Sequence, residues 1–235
     1  RKCSAELGFP FILQGSSGVS GEDTFLINSE KEFTKAIGRL SDGFKASKYL
    51  DSVIPISIHV CLTKEKIYYE GPFLQIIGFP ELSSNPFQFA GNDTNQSLFS
   101  AGLKKEIKKR SMKIAKFLKI KGYLGIAGID FLWVKNSDTF FLQEINSRLV
   151  GLTRLLTAIQ KEQNVLPDLV RHVKLFVPEI EYVNISGKKT DLDFIRNSYS
   201  QVCIANNSDK PIFIKHNLRP GIYKLSKNRL VRAKD

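Results

Sequence analysis

The segment that most constrains this chain is FLWVKNSDTFFLQEINSR, residues 131–148, together with the Asp130 that precedes it. Two runs of aromatic and apolar residues flank a polar turn, which is the pattern of a β-hairpin. A turn at 135–139 predicts three pairs of opposed residues: Val134 with Phe140, Leu132 with Leu142 and Asp130 with Glu144. Opposed side chains on one face have Cβ atoms about 4.5–5.5 Å apart. The two carboxylates are therefore predicted to be neighbours.

Both faces of this hairpin are rich in apolar residues, so we expect both to be covered. Two adjacent carboxylates repel, and burial costs several kcal/mol per ion. Three solutions stay open: one acid is protonated, Arg148 neutralises the pair, or a cation bridges it. A purely structural pairing of one acid with Arg148 at the end of a strand is the plain alternative, but it leaves the second acid and Asn146 unexplained.

The residue types favour the bridging cation. Asn146 shares a strand face with Glu144 and Arg148, because side chains alternate along a strand. Two carboxylates and an amide oxygen are hard ligands, suited to a Mg²⁺ ion that also holds phosphate oxygens. Arg148 could bind a phosphoryl group or another anion through two parallel hydrogen bonds.

A second candidate for phosphate binding is the glycine-rich loop QGSSGVSGEDT, residues 14–24. Gly15, Gly18 and Gly21 permit positive φ angles, and such a loop can fold its backbone N–H groups over phosphates. It is not a Walker A motif, because no Lys-Ser/Thr pair follows. A flexible hairpin tip explains the loop equally well when it is considered alone.

The order of the remaining elements is readable from periodicity. FPFILQG and TFLI are predicted strands around the glycine-rich loop, and Ser29 and Glu32 have the spacing of a capping box before a helix. Residues 54–62 alternate as a strand with one buried face. Residues 78–100 show no periodicity and are predicted to form a lid, a binding loop or a disordered segment. LTRLLTAIQ is predicted to be helical, and two hairpins are predicted in the tail, VCIANNSDKPIFIK and GIYKLSKNRLV.

The net charge of +12 is concentrated in a predicted helix, LKKEIKKRSMKIAKFLKIK. Its apolar residues at helical spacing are Leu103, Ile107, Ile114, Phe117 and Leu118. A solvated helix face, attraction of nucleic acid and steering of an anionic ligand all stay open. No nucleic-acid motif or aromatic interleaving accompanies the charge, so we do not predict a nucleic-acid partner.

Chain length, hydropathy and cysteine content limit the number of domains, the chance of a membrane span and the cellular location. The 235 residues suffice for one large domain or two small ones. No run of about 18 apolar residues exists, so neither a transmembrane helix nor a membrane partner is predicted. Cys3, Cys61 and Cys203 are few and widely spaced, which predicts a reducing, cytoplasmic location. The chain begins without Met in what reads as the end of a helix, so we expect a fragment that lacks an N-terminal part.

Three stretches in this order together resemble the ATP-grasp superfamily: QGSSGVSG, SKYL and GIDFLWV followed by FFLQEINSRLVGLT. The resemblance implies an α+β fold with two lobes built on antiparallel sheets and a small β-rich C-terminal extension. It divides the chain into a small lobe at 1–48, a large lobe at 49–165 and the extension at 166–235.

The resemblance also implies a role for each candidate site residue. Asp130, Glu144 and Asn146 would hold Mg²⁺ between the phosphates of ATP, and Arg148 would stabilise an acyl-phosphate intermediate. The other implied nucleotide-binding residues are Gln14, Ser16, Ser17, Gly18 and Gly21 at the phosphates, Lys48, Tyr49 and Leu50 at the adenine, and Gln75 in the site wall.

The activity implied is that of an ATP-dependent carboxylate–amine ligase acting on a small carboxylate and an amine. Gln14 departs from the pattern, because many members of the family have a lysine there that touches the phosphates. A biotin-carboxylase-like enzyme, a catalytically inactive nucleotide-binding module and a basic RNA-binding protein stay open as alternatives. The sequence does not determine the oligomeric state, and a homodimer is one of the open possibilities.

Overall fold

A computed structural model describes residues 2–16, 21–40, 42–80, 82–179, 199–203, 210, 223–226 and 229–232. The chain forms two compact units, Arg1–Ala205 and Asn206–Asp235. The first contains two antiparallel sheets with helices packed on them, and the described part of the second is a β-hairpin. The predicted α+β class with lobes built on antiparallel sheets is confirmed. The division of the chain at 48 and 165 stays a prediction.

The small lobe comprises α1 (Lys2–Leu7), β1 (Phe11–Gly15), β2 (Thr24–Ile27), α2 (Glu30–Ile37) and β3 (Phe44–Lys48). Its sheet has the order β2-β1-β3, and α2 covers one face. The buried core consists of Phe11, Leu13, Ile27, Phe33 and Ala36. As predicted, Ser29 caps α2 by accepting a hydrogen bond from the Glu32 N–H. The Glu32 carboxylate in turn accepts from the Asn28 N–H, at 2.9 Å.

The large lobe contains β4 (Val53–Leu62), β5 (Ile67–Ile77), β6 (Phe89–Asp93), α3 (Ala101–Ile120), β7 (Gly125–Val134), β8 (Thr139–Asn146), α4 (Gly151–Glu162), α5 (Asp168–Phe176) and β9 (Ser200–Val202). The strand order is β8-β7-β4-β5-β6-β9, with every pair antiparallel. The prediction of an unstructured segment at 78–100 is wrong in part, because β6 lies within it. Gly91 and Asn92 explain the error, since neither favours a strand on propensity alone.

Helices cover both faces of the large sheet. On one face, α3 packs against a core that includes Ile58, Ile129 and Trp133. On the other face, α4 and α5 lie over the strands, and Phe73, Leu152 and Leu156 form a second core. The prediction that β4 has one buried face is therefore wrong: His59 and Cys61, which point away from α3, are also 0% exposed.

Helix α3 forms where the sequence predicts it, with Leu103 and Ile107 buried. The prediction of Phe117 in the apolar stripe is wrong, because its side chain is 56% exposed. The stripe runs through the small residues Ser111 and Ala115 instead, which allows the helix to approach the sheet closely. None of the helices in the described part of the chain is long and apolar enough to cross a membrane.

The described part of the second unit is β10 (Tyr223–Ser226) paired with β11 (Arg229–Arg232). The predicted hairpin GIYKLSKNRLV is thus confirmed. The other predicted tail hairpin, 202–215, lies mostly outside the described residues. Its described start belongs to β9, which pairs with β6.

Candidate functional site

The hairpin of β7 and β8 brings the two acids together. Asp130 lies opposite Glu144, as predicted, and Gly128 lies opposite Asn146. The register then shifts between Asp130 and Phe131. Gln143 is the extra residue of this β-bulge.

The bulge changes the rest of the hairpin. The predicted pairs of Leu132 with Leu142 and of Val134 with Phe140 are wrong, because the observed partners are Phe141 and Thr139. Phe140 consequently stacks on Trp133 in the core, with ring centroids 6.2 Å apart. Strand β8 forms an edge of the sheet and leaves Leu142 48% exposed, so the prediction that both faces are covered is wrong.

Ser57, on the neighbouring strand β4, positions the Asp130 carboxylate through a hydrogen bond. These residues are direct partners in the pairing of β4 with β7, and the Ser57 hydroxyl donates to Asp130 Oδ1 at 2.7 Å. Gln75 on β5 donates through Nε2 to the same hydroxyl oxygen, also at 2.7 Å. A second register shift, between Ser57 and His59 along β4, lies at this level of the sheet. Bulges of this kind occur often beside active sites, where they re-aim side chains.

Asn146 links the two acids. Its amide nitrogen donates to Asp130 Oδ2 at 3.2 Å and to Glu144 Oε1 at 2.8 Å. Arg148 donates to Asn146 Oδ1 at 3.0 Å and to the carbonyl oxygen of Leu149. Among the described residues, neither acid forms an ion pair with Arg148, so the structure does not use Arg148 to neutralise the pair directly.

The electrostatics of the pair follow from its position. Asp130 is 7% exposed, whereas Glu144 on the edge strand is exposed. Burial raises the pKa of Asp130 to about 6, Glu144 adds to the rise, and the hydrogen bond from Ser57 opposes it. Among the residues that the structure describes, no cation pairs with the ionised form of Asp130. A bridging cation would neutralise the ionised carboxylate, and protonation would remove its charge.

The donor set fits Mg²⁺ rather than a softer metal. The described residues contain no group of three His, Cys, Asp or Glu side chains that could hold a metal by themselves. Mg²⁺ usually binds through one or two carboxylates and fills its remaining positions with water and substrate phosphates. Asp130 and Glu144, with the amide of Asn146, match that requirement.

The glycine-rich loop lies between β1 and β2, and the structure describes its two ends. Gln14 on β1 lies opposite Thr24, and the Ser16 hydroxyl donates to the Asp42 carbonyl oxygen at 2.7 Å. Gly21 has a φ of +86°, and a Cβ there would lie 2.1 Å from the Phe87 carbonyl oxygen, so a larger residue does not fit. Ser17 and Gly18 lie outside the described residues.

The other predicted nucleotide-binding residues lie where the two lobes are joined. Lys48 ends β3 and is exposed, and Tyr49 and Leu50 are half-buried in the connection to β4. The structure thus brings together Gln75, Asp130, Glu144, Asn146 and Arg148 through a continuous set of hydrogen bonds. Gln14 and the segment 48–50 belong to the small lobe and its connection.

Sequence analysis missed two residues of this region. The alternation of residues 54–62 places Ser57 on the face that was predicted to be outward, yet its hydroxyl donates to Asp130. The sequence feature that could have indicated Ser57 is a serine within an otherwise apolar strand. This feature points to a contact with Asp130 only when the strand order is known. Lys45 on β3 was also missed, although its Nζ donates to the Gln143 carbonyl oxygen at 3.3 Å, beside Glu144.

No protein-family model matches this chain, and no curated protein matches it. Solved structures do match. Carboxyaminoimidazole ribonucleotide synthase of Aspergillus clavatus, complexed with ATP, aligns at 16% identity and a TM-score of 0.60, over 79% of this chain and 45% of that one. Biotin carboxylase of Campylobacter jejuni, in a β,γ-ATP complex, aligns at 18% identity and a TM-score of 0.58, over 78% and 40%.

A third match is the biotin carboxylase domain dimer of the 2-oxoglutarate carboxylase from Hydrogenobacter thermophilus, complexed with MgADP, ADP and bicarbonate. It aligns at 16% identity and a TM-score of 0.59, over 78% of this chain and 40% of that one. The chain spans less than half the length of each of these three structures. At such identities the likeness concerns the fold.

Proposed function

We propose that this chain, which has the ATP-grasp fold, is the nucleotide-binding part of an ATP-dependent carboxylate–amine ligase. The observation that carries the proposal is the linked set of Asp130, Glu144 and Asn146 at the end of the β7–β8 hairpin. Within the described ranges no cation pairs with the buried Asp130, and burying a carboxylate beside a second acid is costly unless a ligand neutralises it. The match to nucleotide complexes of the same fold supports Mg·ATP as that ligand.

Asp130 and Glu144 would hold Mg²⁺ together with phosphate oxygens of ATP, and the Asn146 amide would turn its oxygen toward the ion. The metal would supply charge neutralisation of the phosphates and polarise the phosphoryl group under attack. Ser57 would keep the Asp130 carboxylate in one orientation, since its hydroxyl donates to Asp130 Oδ1 at 2.7 Å, and Gln75 would orient that hydroxyl by donating to its oxygen at 2.7 Å. Such outer contacts fix the ligand atoms of a metal site.

Arg148 would bind the transferred phosphoryl group. Its exposed guanidinium lies beside Asn146 and is not neutralised by either acid, so it is free to bind an anion. In the first step a substrate carboxylate oxygen attacks the γ-phosphorus, ADP leaves, and an acyl phosphate forms. In the second step an amine attacks the acyl carbon, phosphate leaves, and the amine loses a proton. Positioning and charge stabilisation supply most of the catalysis in phosphoryl transfer.

The test of nucleotide binding is thermal and urea unfolding of this chain with and without Mg·ATP, beside Asp130→Asn and Glu144→Gln. Nucleotide at about 100 times its dissociation constant should stabilise the parent by about 2.7 kcal/mol. Both variants should lose the Mg²⁺-dependent part of this stabilisation. Glu162→Gln, at an exposed acid ending α4, is the matched control and should respond like the parent. An absent response in this chain and in a longer form of the protein would contradict the proposal.

The reaction is tested by trapping the intermediate with hydroxylamine, which converts an acyl phosphate to a hydroxamate. A carboxylate-dependent hydroxamate, formed with release of ADP, would support the ligase. ADP release that depends on bicarbonate would favour the second candidate function, a biotin-carboxylase-like enzyme. The structural matches to two biotin carboxylases support this candidate. Nucleotide binding without turnover under any condition would identify an inactive module.

A further inference from the structure

Lys45 is the second residue of β3 and lies directly opposite Gln14 on β1. Because side chains alternate along a strand, these two residues share one face of the small sheet, and Leu13 and Ala46 point to the other. That other face is the buried one, where Leu13 packs with Phe33 of α2. Lys45 is exposed and therefore presents its ammonium on the face of the small sheet that α2 leaves uncovered.

The ammonium reaches the acid-bearing strand of the large lobe. Lys45 Nζ donates to the Gln143 carbonyl oxygen at 3.3 Å. Gln143 is the bulged residue of β8 and directly precedes Glu144. A cation on the small sheet thus lies beside Glu144 and the candidate magnesium site.

We propose that Lys45 binds the phosphates of ATP and supplies the positive charge on the small-lobe side of the site. This inference rests on the proposed function. The triphosphate carries more negative charge than one Mg²⁺ neutralises, and Asp130 and Glu144 add more. Gln14, the neighbour of Lys45 on the same face, can donate a hydrogen bond but brings no charge.

The present contact of Lys45 is readily exchanged. In the described part of the chain its partner is a neutral carbonyl oxygen on the outer strand β8, and it forms no ion pair. A hydrogen bond from an ammonium to a phosphate oxygen is shorter and about twice as strong as one between neutral groups. Water can satisfy the released Gln143 carbonyl oxygen at the edge. Moving the ammonium from Gln143 to a phosphate is therefore favourable.

The inference predicts a dependence on the phosphate chain and not on adenine. Calorimetric titration of the full chain with Mg·ATP, Mg·ADP and AMP would compare the parent with Lys45→Met and Lys45→Arg. Lys45→Met should weaken Mg·ATP and Mg·ADP by about 10–100-fold, the range expected for one lost charge-assisted hydrogen bond. AMP binding should change by less than a factor of about two, and Lys45→Arg should keep most of the affinity, because the positive charge is retained.

Lys31→Met on the exposed side of α2 is the matched control for the loss of one charge. If Lys45→Met binds Mg·ATP as tightly as Lys31→Met, the role of Lys45 is overturned while the proposed function stands. An equal loss for AMP and Mg·ATP would also overturn it, because it would indicate a general structural effect. A parent that binds none of the nucleotides would instead contradict the proposed function.

Discussion

Ser57 is the residue on which the geometry of Asp130 depends most directly. It donates to Asp130 Oδ1 and accepts from Gln75 Nε2, both at 2.7 Å. The hydroxyl is therefore oriented, with its proton directed at the carboxylate. This orientation keeps Asp130 an acceptor and opposes the rise of its pKa.

Replacing Ser57 by Ala should weaken the site more than the fold. The variant loses one buried hydrogen bond to Asp130, which should lower the unfolding free energy by about 1 kcal/mol. Binding of Mg·ADP should weaken about 10-fold, the lower end of the range for outer contacts of a metal ligand. Titration calorimetry measures the affinity. Ser111→Ala, at a buried serine of α3 bonded to the Ile107 carbonyl oxygen, should lose similar stability and keep its affinity.

The raised pKa of Asp130 predicts a pH dependence in the metal-free protein. Its folded-state pKa of about 6 lies above the ordinary value of 3.8, so the folded state binds the proton more tightly than the unfolded state. The stabilisation from that proton is complete below the ordinary value and is lost as pH rises through the folded-state value.

Between about pH 5 and about pH 7 the parent should thus lose about 1 kcal/mol relative to Asp130→Asn. Urea unfolding of both proteins at several pH values measures the difference. Saturating Mg²⁺ and nucleotide should reduce it, because the metal favours the ionised carboxylate. If the two proteins show the same pH dependence of stability, the pKa of Asp130 is not raised in the folded state.

Among the elements, α4 and α5 are fixed to β4 by a buried polar cluster. His59 is 0% exposed, with Nε2 lying 3.3 Å from the Thr153 hydroxyl oxygen and Nδ1 lying 3.5 Å from Asp168 Oδ2. Arg171 donates to Asp168 Oδ1 at 2.7 Å. Burial raises the pKa of Asp168, whereas its interactions with His59 and the charge of Arg171 lower it, and the lowering prevails. Helix α4 starts three residues after Arg148, so this cluster also anchors the chain that follows the site.

Asp168→Asn should therefore be strongly destabilising. It leaves Arg171, which is 7% exposed, without its buried carboxylate, and breaking such a pair costs about 3–5 kcal/mol. Urea unfolding measures the loss. Asp42→Asn, at an exposed acid before β3, removes the same charge and should change stability by less than about 0.5 kcal/mol. Similar values for the two variants would show that the cluster contributes little.

The sequence allowed the acid pair to be predicted but not the environment that holds it. Counting from the turn placed Asp130 opposite Glu144 correctly because two errors cancelled: the predicted turn was one residue too long, and the bulge at Gln143 restores the register. A bulge depends on local backbone geometry that alternation does not reveal. Ser57 was missed for a related reason. Its contact with Asp130 depends on β4 lying beside β7, and the order of strands in the sheet cannot be read from alternation.

On the scale of the whole molecule, the basic helix α3 and the candidate site lie on opposite faces of the large sheet. Ile58 and Ile129 point toward α3, so their neighbours Ser57 and Asp130 point away from it. The charges of α3 can reach the site only through the long-range field. That field is screened over about 8 Å at physiological ionic strength. This arrangement favours a solvated helix face over direct contact with an anionic ligand.

Reversing three exposed charges of α3 tests that conclusion. Replacing Lys105, Lys109 and Lys116 by Glu lowers the formal net charge from +12 to +6 without touching a buried residue. Association of a fluorescent nucleotide, followed by stopped flow, should slow a few-fold at low salt, because steering responds to net charge. At physiological salt the equilibrium affinity should stay within about a factor of two, since the screened field contributes little there. Lys45→Met, by contrast, should weaken binding at both salt concentrations, because its ammonium contacts the phosphates directly. A large loss of affinity at physiological salt in the α3 variant would show that the basic helix binds the ligand itself.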